Sequence, residues 1–463
     1  LLAWLGVETL RAVIPEEVPR AGSIAVDLRV LAITVGLALL SGTLFSLVPI
    51  LQSRRPVAGT VVTQVMRTNT VNATHQRLRG ALVTIEVALA AVLLVGSGLF
   101  LSSYVRVASV DLGMELRNVL TVRVRPLVGQ ANWARAQQRN RGLLQQILDE
   151  VRSMHGVEAA AFVHGGVPLR GDLRTMELGI PGRALPPDED LDYNAISPDY
   201  FRTLGVPLLA GRFFSDEDGQ GTEPVAVINQ AAATRYFPGE NPVGRTIHFL
   251  GTRRVVGVVG TIRHDGPETD WRRQGFIPLA QSDAVGATLV LRYSRDVGIV
   301  LPGVKTAIWS RFPELALPDI QTLDGYLGRL VAQRRFNMLL LSLFGVLAIV
   351  IACVGIYGVM AYVVTQRTHE IGIRMALGAG SVAVLWSVLG RATAYITGGL
   401  CAGLAGAWLL SALVATFLFQ TQPLDPWVYL GVSGTLIATG VAAAYVPARR
   451  AARLDPVTAL RLE

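Results

Sequence analysis

The stretch FNMLLLSLFGVLAIVIACVGIYGVMAYVV, residues 336–364, runs for 29 positions without a charged side chain. About 20 apolar residues in a helix cross the hydrocarbon core of a bilayer, and core helices of soluble domains are usually much shorter. Four more runs read the same way. Residues 30–51, 392–424 and 426–448 carry no charge, and 81–105 carries only Glu86. The whole chain is 51% hydrophobic and 16% charged, against about 25% charged in an ordinary soluble domain. The expected fold class is an α-helical integral membrane protein with five transmembrane helices and a large mixed α/β extracytoplasmic domain of two subdomains.

Arginine placement orients the spans. Three short segments, 52–79, 365–391 and 447–463, hold twelve arginines against Glu370, Asp455 and Glu463, while the chain as a whole is only +8. Short loops rich in arginine stay in the cytoplasm. Residues 106–335 then lie outside, and their acidic and basic residues nearly balance. This gives spans at 29–51, 80–105, 336–364, 392–419 and 426–447. They are separated by a basic linker at 52–79, the outer domain at 106–335 and a cytoplasmic loop at 365–391, and they end in a cytoplasmic tail at 448–463. The localisation expected is a bacterial inner membrane. The basic residues flank spans, so no nucleic-acid partner is expected.

The outer domain begins as β-α-β, with strands at 118–125 and 157–163 around a helix at 133–154. Residues 181–192, rich in Pro and Asp, read as a linker. Short strands follow at 225–228, 246–250 and 254–259, the last two as a hairpin about Gly251-Thr252. A strand at 287–293 and a helix at 298–312 complete the pattern. This is read as subdomain 193–284 inserted into 106–192 plus 285–335. Both cysteines, Cys353 and Cys401, lie inside spans as small packing residues, so no disulfide is expected in the outer domain.

Residues 27–55 repeat 425–453 at a constant offset: Asp27 matches Asp425, Val30 Val428, Gly36 Gly434, Gly42 Gly440, Pro49 Pro447 and Arg55 Arg453. The first span thus copies the fifth. Residues 1–28 read as the extracytoplasmic end of a preceding repeat, and a chain opening at Leu1 without a basic leader reads as a fragment.

Chemistry-bearing motifs are few. A phosphate-binding loop needs Gly-Lys-Ser/Thr, and the only lysine is Lys305, preceded by Val304. His369-Glu370 begins a zinc-protease pattern, but the second His position is Ile373. His164, His248 and His264 are scattered; no metal site, cofactor or catalytic residue is expected. In the loop TQRTHEIGIRMALGAG, residues 365–380, Arg367, Glu370 and Arg374 share one helical face, and Glu370 precedes Arg374 by four, the favourable order for an ion pair. Such a helix suits docking to a partner protein or lying on anionic lipid, and the residues alone leave both open. Glu86 is an intramembrane carboxylate, a functional candidate by position. Its depth near Arg77 and Arg79 favours a plainer role, pairing at the cytoplasmic interface. Asp455-Pro456 reads locally as a helix N-cap followed by Pro at N1.

QRTHEIGIRMALGA (366–379) resembles the cytoplasmic signature of FtsX/MacB-type ABC-transporter permeases, and PARRAARLDPVTALRLE (447–463) resembles their C-terminal signature. ISPDYFRTLGVPLLAGRFF (196–214) and NPVGRTI (241–247) are similar to the MacB-like periplasmic core domain. The repeat and the opening segment LLAWLGVETLRAVIPEEVPR resemble duplicated acidobacterial-type permeases. The resemblance implies an FtsX-like permease domain at 336–463 and mechanotransmission, in which a separate cytoplasmic ABC ATPase dimer carries the ATP. It places Arg367, Glu370, Gly372, Arg374 and Gly378 in the ATPase-coupling loop and Arg453, Asp455 and Pro456 in the cytoplasmic tail. Further partners are a second permease unit, as homodimer or fused repeat, and a periplasmic adaptor. The alternatives are an ATP-independent membrane-anchored scaffold or a cell-division-type regulator of a cell-wall hydrolase.

Overall fold

The computed structural model describes residues 27–53, 64–124, 133–170, 173–183, 186, 189–294, 296–313, 315, 320–377, 380–416 and 418–453. The helices among them are α1 (Leu28–Ser53), α2 (Gln64–Ala108), α3 (Trp133–Ser153), α4 (Tyr200–Leu204), α5 (Gln230–Tyr236), α6 (Val297–Trp309), α7 (Leu323–Gln366), α8 (Thr368–Ala376), α9 (Ser381–Ala415) and α10 (Pro426–Ala452). The strands are β1 (Val119–Val124), β2 (Val157–His164), β3 (Arg174–Glu177), β4 (Asp190–Ile196), β5 (Leu208–Gly211), β6 (Val225–Asn229), β7 (Thr246–His248), β8 (Thr252–Val259), β9 (Gln274–Pro278), β10 (Ala287–Tyr293) and β11 (Ile320–Thr322). Two compact units result, Leu1–Arg106 with Ala332–Glu463, and Val107–Val331.

In the first unit, Leu78–Ala108 of α2 and the helices α7, α9 and α10 are long and apolar enough to cross a membrane. That is four among the described residues, against five expected. In α1 the described apolar stretch is Arg29–Leu40, shorter than a span. One expected boundary is corrected. The segment 365–391 is not a loop throughout, because α9 begins at Ser381, about three turns ahead of the expected span. Arg391 ended the uncharged run in the sequence, yet a helix tolerates such a residue where its charged head reaches the interface.

Small residues set how these helices pack. A Cβ added at Gly399 would meet the Thr84 carbonyl oxygen at 2.6 Å, and one at Gly403 would meet that of Ala88 at 2.5 Å. The backbone of α9 therefore lies directly on that of α2, the close approach that small residues permit in bilayers. Around this contact Val87 and Ala91 of α2 pack with Ile356 of α7, Ile396 of α9 and Leu436 of α10. At the other end of the unit, Asp425 caps α10, accepting from Trp427 N–H at 3.1 Å, and pairs with Arg106 at 2.9 Å. Asp27, its counterpart in the repeat, accepts from Arg29 N–H at 2.9 Å. Both copies of the motif thus satisfy an orphan donor at the start of a helix.

The second unit holds one eleven-stranded sheet ordered β11-β1-β10-β2-β4-β9-β6-β8-β5, with β3 beside β4 and β7 beside β8. The first four strands, with α3 and α6, form a β-α-β-β-α-β unit in split, ferredoxin-like order. β10 lies antiparallel between β1 and β2. One face of these strands meets Leu144, Ile147, Leu148 and Val151 of α3 and Val300, Val304 and Ile308 of α6. Those spacings are helical, and Leu120, Val122, Leu289 and Leu291 alternate from the strands onto the same core. The remaining strands are inserted between β2 and β10. The insert joins the first half where Val163 and His164 pair with Ile196 and Ala195. The segment Ser197–Phe214 serves this junction: Tyr200, Phe201 and Leu204 are buried against Phe276 and Val227.

Two readings are corrected here. The expected linker 181–192 ends in strand, because β4 starts at Asp190 and its Leu191 is fully buried. The insert begins earlier than 193, since β3 pairs with β4. Alternation was hidden there by Pro and Asp, while tertiary burial decides the strand. The hairpin at 246–259 forms, its tip turned by Leu250 (φ 51°) and Gly251 (φ 96°).

The buried carboxylate Glu189 is paired. Glu189 accepts from Arg235 Nε at 3.0 Å and from Arg273 at 3.0 Å, tying α5 and the start of β9 to the entry of β4. The Arg235 hydrogen bond, with the Arg273 charge, holds this carboxyl below the usual glutamate range. A depressed carboxylate contributes stability above its unfolded pKa and loses it as pH falls through the folded value. Thermal melts should therefore show wild type above Glu189→Gln at pH 7, with the gap closing below about pH 4. A gap that does not narrow at all as the pH is lowered contradicts the pairing. In the membrane unit, Gly403→Leu should lower the melting stability of the purified protein by about 1–3 kcal/mol through overpacking against α2. An unchanged melt would refute the backbone contact.

Candidate functional site

The coupling-loop residues fall at the end of α7. Arg367 breaks the helix: its N–H still reaches the Val363 and Val364 carbonyls at 3.2 Å, and its own carbonyl accepts from Ile371 N–H at 2.8 Å, starting α8. Thr368 Oγ donates to the Val364 carbonyl at 3.1 Å, securing the corner. α8 then lays Ile371 into the core of the membrane unit, with Met375 packed against it. Its other face is charged. Arg374 donates to Glu370 Oε1 at 2.6 Å, and Arg367 lies 3.8 Å from Glu370 Oε2. Gly372 is buried within α8.

Between the end of α7, α8 and the start of α9 is a groove of roughly 150 Å³. Val363, Val364, Ile371, Val384 and Val388 form apolar walls, and Arg367, Glu370, Arg374 and Arg391 supply its charges. The structure thus brings together Arg367, Glu370 and Arg374, and adds Arg391. The sequence reading counted Arg391 only as a loop charge. Its spacing from Val384 and Val388, seven and three positions on, is the helical signal that finds it. Arg453 is apart from this group, an exposed residue ending α10. Gly378, Asp455 and Pro456 lie outside the described residues.

Glu86 lies on α2 where that helix meets α7. Arg79 stacks over the Tyr362 ring at 3.9 Å and makes no pair with Glu86. The Arg77 side chain is outside the description. The Glu86 carboxylate instead occupies the space beside Gly355 of α7, where a Cβ would overlap Oε2. Eight residues of helix, about 12 Å, separate Glu86 from the start of the apolar stretch at Leu78. Cys353 is half-buried, with its thiol 3.8 Å from the Thr439 carbonyl, whereas Cys401 is exposed rather than packed.

In the outer unit, His164 Nδ1 lies 2.7 Å from the Gly286 carbonyl and His248 Nδ1 lies 3.1 Å from Thr252 Oγ. His264 is fully buried, and burial pushes its imidazole down to about 3, so it stays neutral. Among the described residues no three His, Cys, Asp or Glu side chains gather as a metal site.

Residues 81–301 match the family described as MacB-like periplasmic core domain, and residues 342–456 match FtsX-like permease C-terminal. The chain thus carries two domains characteristic of the MacB/FtsX-type permeases. It is 31% identical over 294 residues to the macrolide export ATP-binding/permease protein MacB of Azoarcus sp. (strain BH72), covering 60% of this chain and 43% of that one. The MacB protein of Vibrio parahaemolyticus is 28% identical over 299 residues, covering 59% of this chain and 43% of the other. The chain therefore spans under half the length of these curated relatives. The solved periplasmic region of MacB from Actinobacillus actinomycetemcomitans aligns at 15% identity with a TM-score of 0.33, covering 46% of this chain and 92% of that one. This permease is a membrane protein with a mixed α/β domain of the MacB-like core type.

The Glu86–Gly355 contact yields a double-mutant test. Gly355→Ala should cost about 1 kcal/mol by forcing the Glu86 side chain off its rotamer, and should cost almost nothing in a Glu86→Ala background. Equal costs in both backgrounds would show that the two residues do not meet.

Proposed function

We propose that this permease is the transmembrane part of an ABC exporter that works by mechanotransmission, with ATP hydrolysed on another subunit or domain. The observation that carries the reading is the α7–α8 corner. α8 keeps one face in the membrane core through Ile371 and presents Arg367, Glu370 and Arg374 on the other. A helix anchored on one side and charged on the other can take a push from a docked protein and pass it to the span it adjoins. The MacB relatives are named as macrolide export ATP-binding/permease proteins, which supports export and an ATP-binding partner for this chain.

In this reading the ATPase is a cytoplasmic dimer, and α1 is a fifth span, the last of a preceding repeat. The outer domain is periplasmic and comprises two subdomains, the split β-α-β-β-α-β half and its insert. A second permease unit and a periplasmic adaptor complete the assembly in the inner membrane.

The experiment is Glu370→Arg. It removes the pairs with Arg374 and Arg367, a loss of a few tenths of a kcal/mol for a helical pair, so insertion and melting should be unchanged. It opposes any acidic contact on the ATPase, a like-charge cost of several kcal/mol at an interface. The variant should lose the co-purifying ATPase and transport. Recovery of ATPase at the wild-type level would overturn the coupling role and leave the scaffold reading in its place.

A further inference from the structure

We infer that the groove between α7, α8 and α9 is a binding site for one anionic phospholipid, whose phosphate Arg391 holds.

The charge count comes first. Three guanidinium groups, Arg367, Arg374 and Arg391, line the groove with one carboxylate, Glu370. Glu370 is already engaged by Arg374 at 2.6 Å and Arg367 at 3.8 Å. Arg391, half-buried on α9, has no hydrogen bond or ion pair to any described residue. The groove thus keeps about two positive charges, one of them partly withdrawn from water. A partly desolvated arginine needs an anion, and its planar fork fits phosphate oxygens in a bidentate manner.

The walls select which anion. Val363 and Val364 end the 29-residue uncharged run, and Val384 and Val388 lie on the first two turns of a second span. The site is therefore at the level where acyl chains meet headgroups, with apolar side chains on one side and arginines on the other. Basic pockets between spans on the cytoplasmic side suit lipid phosphates. A free phosphate would gain nothing from the valines, and an acidic loop of a soluble protein would bury its backbone against them. A phospholipid uses both surfaces. The coupling role rests on Arg367, Glu370 and Arg374 and this inference turns on Arg391, so the two can fail separately.

The test uses the full chain in detergent, equilibrated with phosphatidylglycerol or phosphatidylcholine and examined by native mass spectrometry. Wild type should retain phosphatidylglycerol in preference to phosphatidylcholine. Arg391→Gln should retain about tenfold less, the ratio expected from one charge-assisted hydrogen bond. Arg449→Gln, an equal change in charge at an exposed residue of α10 that does not line the groove, should retain the wild-type amount. Arg391→Lys, which keeps the charge without the fork, should fall between and covers the case in which Arg391→Gln does not fold. Millimolar inorganic phosphate should not displace the lipid. Equal retention of both lipids, or equal losses in Arg391→Gln and Arg449→Gln, would overturn the site. Displacement by inorganic phosphate would reassign it to a free anion. Unchanged lipid retention in Arg391→Gln with loss of the co-purifying ATPase would reassign Arg391 to a protein contact.

Discussion

Gly399 and Gly403 let the backbone of α9 rest on that of α2, and the membrane unit is arranged about that contact. In hydrocarbon the hydrophobic effect does not press helices together, because lipid tails are as apolar as leucine. Close backbone approach and dispersion must hold them. The neighbouring core residues are accordingly small or β-branched: Ala91, Val87, Ala392 and Ala444 are buried almost completely. Larger side chains such as Leu409 and Leu430 point outward and stay exposed, as residues facing lipid do.

With packing settled by small residues, polar chemistry is pushed to the ends of the helices, where it fixes termini. Asp425 and Arg106 lock the start of α10 to the end of α2. Arg367, Glu370 and Arg374 shape the short helix at the far end of α7. Glu86 is an exception, a carboxylate inside a span, and the missing side chain of Gly355 makes room for it. The two units follow different rules. In the outer one the Glu189 carboxylate is buried while its partners Arg235 and Arg273 stay partly exposed, and these pairs join α5 and the start of β9 to the entry of β4.

Four of the five expected spans were legible because length without charge is a signal that tertiary structure rarely overrides. The helix of the coupling loop was legible from the spacing of Arg367, Glu370 and Arg374. The start of α9 was not, since Arg391 interrupts the apolar run although the helix continues through it. Strand positions 119–124, 157–164 and 287–293 were close to the expected ones, but their order in the sheet was not readable. The partner of β1 is β10, far along the chain, and such pairing depends on long-range burial rather than local pattern. β4 was missed because Pro and Asp precede it. The groove was missed because its walls come from three helices that no single stretch of sequence displays together.

The first half of the outer domain is closed by its last strand, since Leu120 of β1 pairs with Thr322 of β11. At ~5–20 residues per second of synthesis, the two strands are made some 10–40 s apart. Hairpins close in microseconds, so for most of that interval β1 waits as an unpaired edge. Its own half cannot be completed until the insert and α6 have been made. The order of synthesis thus leaves the framework around the insert to be closed last. The long-lived open edge of β1 is where a holding chaperone would act during biogenesis and where a stalled chain would begin to aggregate.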